Sequence, residues 1–397
     1  VDAIRHNSAT SDAITTAADG TCTAKLTSIG GGGLSHRNLV VNGAMLISQR
    51  GTSFSGTAQQ YTLDRMQTNT VGNDEIAQTE QASVTSGGAY TSGFRKCMKI
   101  INGNQTSGAG AGDIVHLKMV LEAQDIANSG WNYTSSSSFI TLSFWIKSSV
   151  AQDFPITLRS EDGTRQVYNM TTGSLTADTW TKVTKTIPGN SNLQFDDDVN
   201  AGLTLFVNAF VGTDYTTGSL AQNAWSAWSG TKQGDNMAST WYTTNNATLE
   251  ITGIQLEVGD TATSFEHRSF GEELRRCQRY YIQYGGANGS LGRFPMMGEC
   301  PTTTVAQYVL QFPVVMRGGG SVTLTTTGTV TDYLIYTANA SRTATAIAIA
   351  DTLKYGYGDV FGIRLNLSRS NGDLVAGRGV QGYSSSSTGF LGFSREL

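Results

Sequence analysis

The stretch that decides the fold is LEITGIQLEVGDTATSFEHRSFGEELRRCQRYY, residues 249–281, in which a strand pattern gives way directly to a helix pattern. Apolar and polar residues alternate up to Leu256, which is typical of a core strand, and Gly253 marks a bulge or a close backbone contact. Ser269 and Glu272 then have the spacing of a capping box, which predicts a helix start. We therefore expect an all-β domain to end here and a second domain to begin with a helix.

An apolar stripe follows the predicted start of this helix. Its members recur at spacings of three and four residues, which would place them on one helix face. They are Leu274, Cys277, Tyr281 and Tyr284. We interpret these residues as candidates for contacts between copies of the chain in an oligomer.

Composition divides the chain into three parts. Residues 1–36 are small and polar and too poor in large apolar residues to build a core, so they should order only against another surface. We interpret them as an attachment arm, with a floppy N-terminus as the alternative. Residues 37–268 form the main domain, and residues 269–397 hold the helix and a smaller β-rich domain.

The main domain has the pattern of a jelly-roll β-sandwich. Short runs of alternating apolar and polar residues recur along it, separated by turn signals such as NGNQ at 102, EDGT at 161 and PGNSN at 188. Two packed antiparallel sheets are the natural arrangement for so many half-buried strands. Within this part only QDIANSGW, residues 124–131, has a helical pattern.

Two segments of the C-terminal part are almost wholly apolar or small: TTVAQYVLQFPVVM, residues 303–316, and TAIAIADTL, residues 345–353. Pro313 interrupts the first, so that strand must bend or lie at an edge. A domain of ~130 residues has too little interior to cover both faces of such strands. The residues themselves therefore predict an oligomer, without fixing the number of copies.

An ordered set of stretches resembles a family of phage virion proteins, the tail-fibre and particle-appendage subunits common in marine and cyanobacterial podoviruses. The stretches are RNLVVNGAMLISQRGTSF (37–54), YTLDRMQ (61–67), IVHLKMVLEAQDIANSGW (114–131), ITLSFWIKSSV (140–150), ITGIQLEVGDTATSFEHRSFGEELRRCQRYY (251–281), FPVVMR (312–317) and GFSREL (392–397). They are specific as a set, and none is a catalytic signature.

The resemblance implies a jelly roll similar to carbohydrate-binding modules, followed by a trimeric C-terminal β-domain, and it implies no known reaction. We accordingly expect a non-enzymatic virion protein, a homotrimeric tail fibre or adhesin subunit. Residues 1–36 would dock it to other virion proteins, and the jelly roll would bind host-surface polysaccharide. The alternatives are a head fibre or decoration protein without a glycan ligand, and a polysaccharide-depolymerising tailspike.

Charge argues against other classes of partner. The sequence has 27 basic and 31 acidic residues, a net charge of -4, whereas a nucleic-acid-binding protein needs clustered basic residues on one face. The one basic cluster is Arg268, Arg275, Arg276 and Arg279. We interpret this cluster as a solvated helix face or a set of inter-subunit salt bridges. The sequence has no run of 18 apolar residues and no leader pattern, so we expect neither a membrane span nor secretion.

Aromatic residues are the chemical signal for a glycan site, because sugar-binding sandwiches use flat aromatic faces together with amide and carboxylate hydrogen bonds. Candidates lie in polar stretches where loops are expected: Trp131, Tyr133, Trp225, Trp228, Trp241 and Tyr242. The alternative is that they anchor loops or contact a neighbouring subunit. Trp145 and Trp180 fall within strand patterns and are interpreted as core residues.

Carboxylates offer weak candidates for catalysis and metal binding. Glu161 with Asp162, and the run Asp196, Asp197 and Asp198, would suit two-carboxylate hydrolysis or a structural calcium ion, yet both lie in turn contexts. Related sandwiches commonly carry an acidic pair in the closing strand, where this chain has Thr252 and Gly253. We therefore expect no catalytic residue and no cofactor, and the calcium ion is in doubt.

The four cysteines lack the spacing of a metal site. Cys97 and Cys277 fall in a strand pattern and on the apolar stripe, so we interpret them as small core residues. Reduced cysteines suit synthesis and assembly in the host cytoplasm before incorporation into the virion.

Overall fold

The structure is a computed structural model. It describes residues 3–4, 14–16, 18, 22–24, 37–55, 59–218, 220–234, 237–285, 293–326, 329–337, 340–354, 359–384 and 390–397. Most of the predicted attachment arm lies outside these residues. Its described parts form three short antiparallel strands, β1 (Ala3–Ile4), β2 (Ile14–Thr16) and β3 (Cys22–Ala24).

Residues 37–268 form two sheets with a few short helices. In chain order the elements are β4 (Ser53–Phe54), β5 (Gln59–Tyr61), β6 (Gln67–Val71), β7 (Gln78–Ser83), α1 (Gly87–Thr91), β8 (Lys96–Ile101), β9 (Ile114–Glu122), α2 (Ala123–Ala127), β10 (Phe139–Ser148), β11 (Pro155–Ser160), β12 (Gln166–Thr171), β13 (Thr181–Pro188), β14 (Ala201–Val211), a 3-10 turn (Thr213–Tyr215), β15 (Trp225–Ala227), α3 (Thr240–Thr243) and β16 (Thr248–Val258). The helix predicted at residues 124–131 is present as the shorter α2.

The two sheets make a jelly-roll sandwich, which confirms the predicted fold class. One sheet has six strands in the order β13-β10-β16-β8-β7-β4, and the other has seven in the order β15-β12-β11-β14-β9-β6-β5. From β10 to β16 the chain passes repeatedly between the sheets, as a jelly roll requires. The inward side chains of both sheets share one apolar core that includes Leu117, Phe144, Leu205 and Ile251.

Gly253 lies at a bulge in β16, as the sequence predicted. The register between β10 and β16 shifts between Ser143 and Trp145, which pair with Gln255 and Thr252. Gly253 has φ +66°, and a Cβ atom there would meet the Phe94 ring at 2.5 Å. Only glycine avoids both the backbone strain and the clash.

The C-terminal part forms a second, smaller set of sheets. Its elements are α4 (Phe270–Gln278), β17 (Tyr281–Gly285), β18 (Arg293–Glu299), β19 (Val305–Met316), β20 (Thr323–Thr326), a 3-10 turn (Val330–Asp332), β21 (Tyr333–Thr337), β22 (Ala340–Thr343), β23 (Ala346–Lys354), β24 (Val360–Ser368), β25 (Gly379–Ser384) and β26 (Phe390–Ser394). The sheet orders are β17-β26-β20 and β22-β21-β25-β18-β19-β24-β23.

Strand β19 bends at its proline and keeps one face open. Its register with β24 shifts between Gln311 and Met316, the segment that contains Pro313, so the predicted bend is confirmed. Tyr308 and Leu310 on one face are buried in the C-terminal core, whereas Val309 on the other face is 49% exposed. Burial of that open face by a second copy stays a prediction.

Helix α4 begins as predicted, but the predicted stripe does not lie on one helix face. The Ser269 hydroxyl accepts a hydrogen bond from the Glu272 backbone N–H over 3.3 Å. The helix ends at Gln278, and Tyr281 and Tyr284 belong to β17. The helical spacing of Tyr281 and Tyr284 is therefore a coincidence, because both residues lie in a strand.

Burial also changes the role of these four residues. Cys277 and Tyr281 are buried within the chain, so neither is available to a neighbouring copy. Leu274 and Tyr284 are half-buried, and the Tyr284 hydroxyl donates to the Gln311 carbonyl oxygen over 3.0 Å. Their assignment as an oligomer contact is corrected for Cys277 and Tyr281, which are core residues of this chain.

Buried charges join the sandwich to the C-terminal part. The Glu122 carboxylate at the end of β9 is fully buried, and it accepts hydrogen bonds from Arg279 Nε (2.9 Å), Arg279 Nη2 (2.8 Å) and the Tyr280 hydroxyl (2.5 Å). Arg65 pairs with Glu396, and its guanidinium carbon lies 3.6 Å from the Tyr280 ring centroid. Because a buried charge needs a hydrogen-bonded counter-charge, these pairs fix how the two parts meet.

We expect Arg279→Ala to destabilise the protein by about 3 kcal/mol, because it leaves the buried Glu122 carboxylate without its bidentate partner. The matched control is Arg276→Ala on the same helix. Arg276 pairs with Glu272 at 3.2 Å near the surface, so its loss should cost less than about 1 kcal/mol. Urea unfolding followed by tryptophan fluorescence measures both variants, and equal losses would contradict the assigned role of Arg279.

Candidate functional site

The outer face of the seven-stranded sheet carries a row of polar and aromatic side chains. Residues paired opposite each other in an antiparallel sheet share a face. From β6 to β12 the register aligns Gln67, Lys118, Phe206, Thr157 and Asn169. Asn69, His116 and Asn208 form a second row beside the first, and Thr204, Arg159, Val167 and Ser226 form a third.

The chain crosses this face after β14 and covers much of it. Gln233 lies over the sheet, with its carbonyl oxygen 3.0 Å from the Thr157 hydroxyl. Phe206 and Asn208 beneath are buried, whereas Trp228 stays half-buried. The covered pocket is lined by His116, Thr157, Arg159, Phe206, Asn208, Trp228 and Gln233. These residues, with the adjoining Lys118 and Asn169, are called the sheet-face site.

An indole and two guanidinium groups stand at the rim of the sheet-face site. The Arg159 guanidinium carbon lies 5.1 Å from the ring centroids of both Trp228 and Phe206, and that of Arg165 lies 5.6 Å from Trp228. Glu161 accepts hydrogen bonds from Arg159 and lies 3.1 Å from Arg165. Cation–π attraction and this ion pair together hold the Trp228 indole at the rim.

Buried hydrogen-bonding groups on this face are only partly satisfied. The Thr157 hydroxyl lies 3.0 Å from both Asn169 Oδ1 and Gln233 O, but its single proton can be donated to only one of them. Asn169 Nδ2 and Ser226 Oγ are buried and have no hydrogen-bond partner among the described residues. The face therefore has a buried amide donor and a buried hydroxyl in reserve, next to a covered pocket of about 10 Å³, which is room for one water molecule.

His116 is neutral in the folded chain. Burial lowers its pKa to about 3, and the nearby charges of Lys118 and Arg159 act in the same direction. The His116 ring lies edge-on to the Phe206 ring with centroids 5.0 Å apart, and its Nε2 accepts a hydrogen bond from Asn69 Nδ2 over 3.4 Å. An uncharged imidazole serves here as a fixed polar wall rather than as a base.

Trp241 and Tyr242 lie in the core, so their predicted position in an open loop is wrong. They belong to the short helix α3 and are almost fully buried. The Tyr242 ring stacks on Phe210 with centroids 4.2 Å apart, and its hydroxyl donates to Asp113 Oδ2 over 2.9 Å. Packing inward explains why neither ring offers a face to a ligand.

The other predicted aromatic residues divide between two places. Trp131 is buried and Tyr133 is half-buried, and both pack with Phe195 at centroid distances of 6.1 and 5.0 Å. Trp225 is half-buried and donates through Nε1 to the Pro188 carbonyl oxygen over 2.7 Å. Of the six candidates, the structure brings only Trp228 into the sheet-face site.

The aspartate run does not form a metal-ligand set. Carboxylate oxygens of Asp196, Asp197 and Asp198 accept hydrogen bonds from three different partners, Gln194 Nε2, Asn128 Nδ2 and the Asn200 backbone N–H. Nowhere in the described part of the chain do three or more His, Cys, Asp or Glu side chains gather as they would around a metal ion.

The residues that sequence reasoning missed come from strands far apart in the chain. His116, Lys118, Arg159 and Phe206 belong to β9, β11 and β14, which become neighbours only through the sheet order. Strand alternation was the available signal, since IVHLKMVLE places His116 and Lys118 opposite the apolar face. It could show that they share a face, but not that Arg159 joins them.

No protein-family model matches this chain, and no curated protein is significantly similar to it in sequence. None of its described helices is long and apolar enough to cross a membrane.

Several solved structures are similar to the chain in fold. One is the enzymatically active domain of tailspike protein 4 of Bacteriophage CBA120 (9% identity, 56% of this chain and 21% of that chain, TM-score 0.30). Another is a putative sugar binding protein from Bacteroides thetaiotaomicron (13% identity, 56% and 100%, TM-score 0.29). A third is the CBM22 tandem domain of Paenibacillus barcinonensis Xyn10C (10% identity, 93% and 100%, TM-score 0.27).

The chain spans about a fifth of the length of the tailspike domain that it matches. With identities of 9 to 13% and TM-scores of 0.30 or below, these likenesses carry no information about what this chain binds.

A neutral His116 makes the native state lose stability as the pH falls. Its pKa of about 3 lies below the value of 6.5 expected in the unfolded chain, so unfolding takes up a proton in this window and becomes easier at lower pH. We expect His116→Gln to lose less stability than the wild type between pH 6.5 and 4. Urea unfolding across this range measures the difference, and identical slopes would show that folding does not lower the pKa of this imidazole.

Proposed function

We propose that this chain is a non-enzymatic carbohydrate-binding subunit of a phage virion appendage, and that it holds glycan at the sheet-face site. The observation that carries this proposal is the half-buried Trp228 indole, which the guanidinium groups of Arg159 and Arg165 hold at the rim of the sheet. A flat aromatic face packs against the apolar face of a pyranose, and amides and hydroxyls bind its hydroxyl groups.

The non-enzymatic part of the proposal is supported by the state of the nearby carboxylates. Glu161 is engaged by Arg159 and also accepts a hydrogen bond from the Thr204 hydroxyl over 2.6 Å. Asp162 accepts one from the Asp196 backbone N–H over 3.0 Å. Both carboxylates therefore have a structural role. Glu161 orients the Arg159 guanidinium group, and Asp162 holds the turn at Asp196.

The virion assignment is supported by the ordered sequence stretches that resemble tail-fibre and appendage subunits. On that basis we propose a homotrimeric tail fibre or adhesin that docks to the particle through residues 1–36 and reaches the host surface with its sandwich. The open face of β19, where Val309 is exposed beside Gln307 and Gln311, is where we propose that the C-terminal parts associate. A head fibre built from the same modules is the second candidate, and particle imaging distinguishes the two positions.

We expect Trp228→Ala to weaken glycan binding at least tenfold, because it removes the ring face against which a sugar packs. The matched control is Trp180→Ala. Trp180 is also half-buried beside a cation, with Lys147 Nζ 5.3 Å from its ring, but it lies on the six-stranded side. Affinity electrophoresis and calorimetry with neutral and acidic envelope polysaccharides measure binding, while reducing-end assays detect cleavage. Failure of the wild type to bind any glycan, or release of new reducing ends, would refute the proposal.

We expect the full chain to have three times its monomer mass in solution, and Val309→Asp to lower that mass by placing a charge on the open face of β19. The control is Val375→Asp, which alters a valine that is 56% exposed elsewhere in the C-terminal part. Light scattering coupled to size exclusion gives the mass. A monomeric wild type at high concentration would contradict the proposed assembly.

A further inference from the structure

Lys118 adjoins the covered pocket of the sheet-face site, and its ammonium group has no counter-ion among the described residues. It lies on β9 between Gln67 on β6 and Phe206 on β14 and is half-buried. Within the described part of the chain it has neither a hydrogen bond nor a salt bridge. Two other half-buried lysines of the sandwich have a carboxylate partner, Lys99 with Glu80 at 3.0 Å and Lys147 with Glu250 at 2.9 Å.

The charges around Lys118 do not compensate for it. Burial lowers the pKa of Lys118, the Arg159 guanidinium lowers it further, and Glu161 opposes both effects. Glu161, however, is already paired with Arg159 and Arg165. The described side chains around this rim thus carry three positive charges and one negative charge.

This arrangement is unfavourable for the free protein and favourable for an anionic ligand. A partly desolvated ammonium group loses hydration that no protein group replaces, so an arriving anion would supply the missing partner. The Arg159 guanidinium carbon lies 5.1 Å from the Phe206 ring, and Phe206 pairs directly with Lys118. Lys118 and Arg159 therefore both lie beside the Phe206 ring, and Arg159 also lies beside the Trp228 ring.

We propose that the sheet-face site selects acidic sugars, whose anionic group pairs with Lys118 while Trp228 packs against a sugar ring. This inference rests on the proposed glycan-binding function and adds the ligand class. A uronic acid carboxylate and a sulfate ester share the required chemistry, since each offers anionic oxygens to an ammonium group.

Ligand pairs with the same backbone test the inference directly. Polygalacturonate is compared with its methyl ester, and a sulfated galactan with the desulfated galactan. Calorimetry on the full chain at low and at physiological salt gives the affinities, because an ionic contact weakens as salt is added. We expect at least one acidic member to bind tenfold or more tightly than its neutral counterpart, and the two pairs distinguish uronate from sulfate.

Variants assign the selectivity to Lys118. We expect Lys118→Met to abolish the preference for the acidic member and Lys118→Arg to retain most of it, whereas Lys99→Met, which removes a paired lysine on the other sheet, leaves it unchanged. If Lys118 serves only the fold, Lys118→Met should lower the thermal midpoint. Removing an uncompensated cation should instead leave the midpoint unchanged or raise it.

The outcomes separate this inference from the function on which it rests. Equal affinity for the acidic and neutral members overturns the inference while glycan binding stands. An acidic preference that survives in Lys118→Met places the anion elsewhere and also overturns it. If no glycan binds at all, the proposed function and the inference fail together.

Discussion

The structure depends on the complete burial of the Glu122 carboxylate where the sandwich meets the C-terminal part. A buried carboxylate is tolerated only with a close counter-charge and satisfied oxygens, and Arg279 and Tyr280 supply both from the chain that follows the sandwich. Arg65 packs on Tyr280 and pairs with Glu396 near the chain end. The contacts of Glu122, Tyr280 and Arg65 share partners and form one network. This network fixes a single arrangement of the sandwich against the C-terminal part.

The same strand links this anchor to the sheet-face site. Strand β9 ends at Glu122, and its earlier residues His116 and Lys118 face the covered side of the seven-stranded sheet. Because a slip of one residue would move every side chain of β9 to the other face, the anchor also secures the register of the site. Strands β9 and β14 are buried on both faces, which explains why polar groups on the outer side must find partners away from water.

Local signals in the sequence were sufficient for the fold and insufficient for the site. Ser269 capped its helix because a cap depends on neighbouring residues alone, and Gly253 marked its bulge because a glycine within a strand pattern is itself a local signal. Trp241 lies in a polar stretch, yet it turns inward because the core accepts its ring and the Thr248 carbonyl oxygen accepts its N–H. The site required sheet order, which joins Lys118 to Arg159 across β14 and which periodicity cannot supply.

Net charge and local charge lead to different conclusions for this protein. The whole chain carries -4, which opposes the approach of a dense polyanion such as nucleic acid. Around Lys118 the described charges are positive on balance, because Arg159 and Arg165 outnumber Glu161, and at physiological salt charges beyond about 8 Å are largely screened. A ligand that places one anionic group beside Lys118 and a sugar ring beside Trp228 is therefore attracted by the nearby positive charges. The net negative charge of the whole chain has little effect on such a ligand. A rigid carbohydrate with few anionic groups is attracted near Lys118 and is only weakly repelled by the net charge. A continuous phosphate backbone is attracted near Lys118 but is repelled by the net charge.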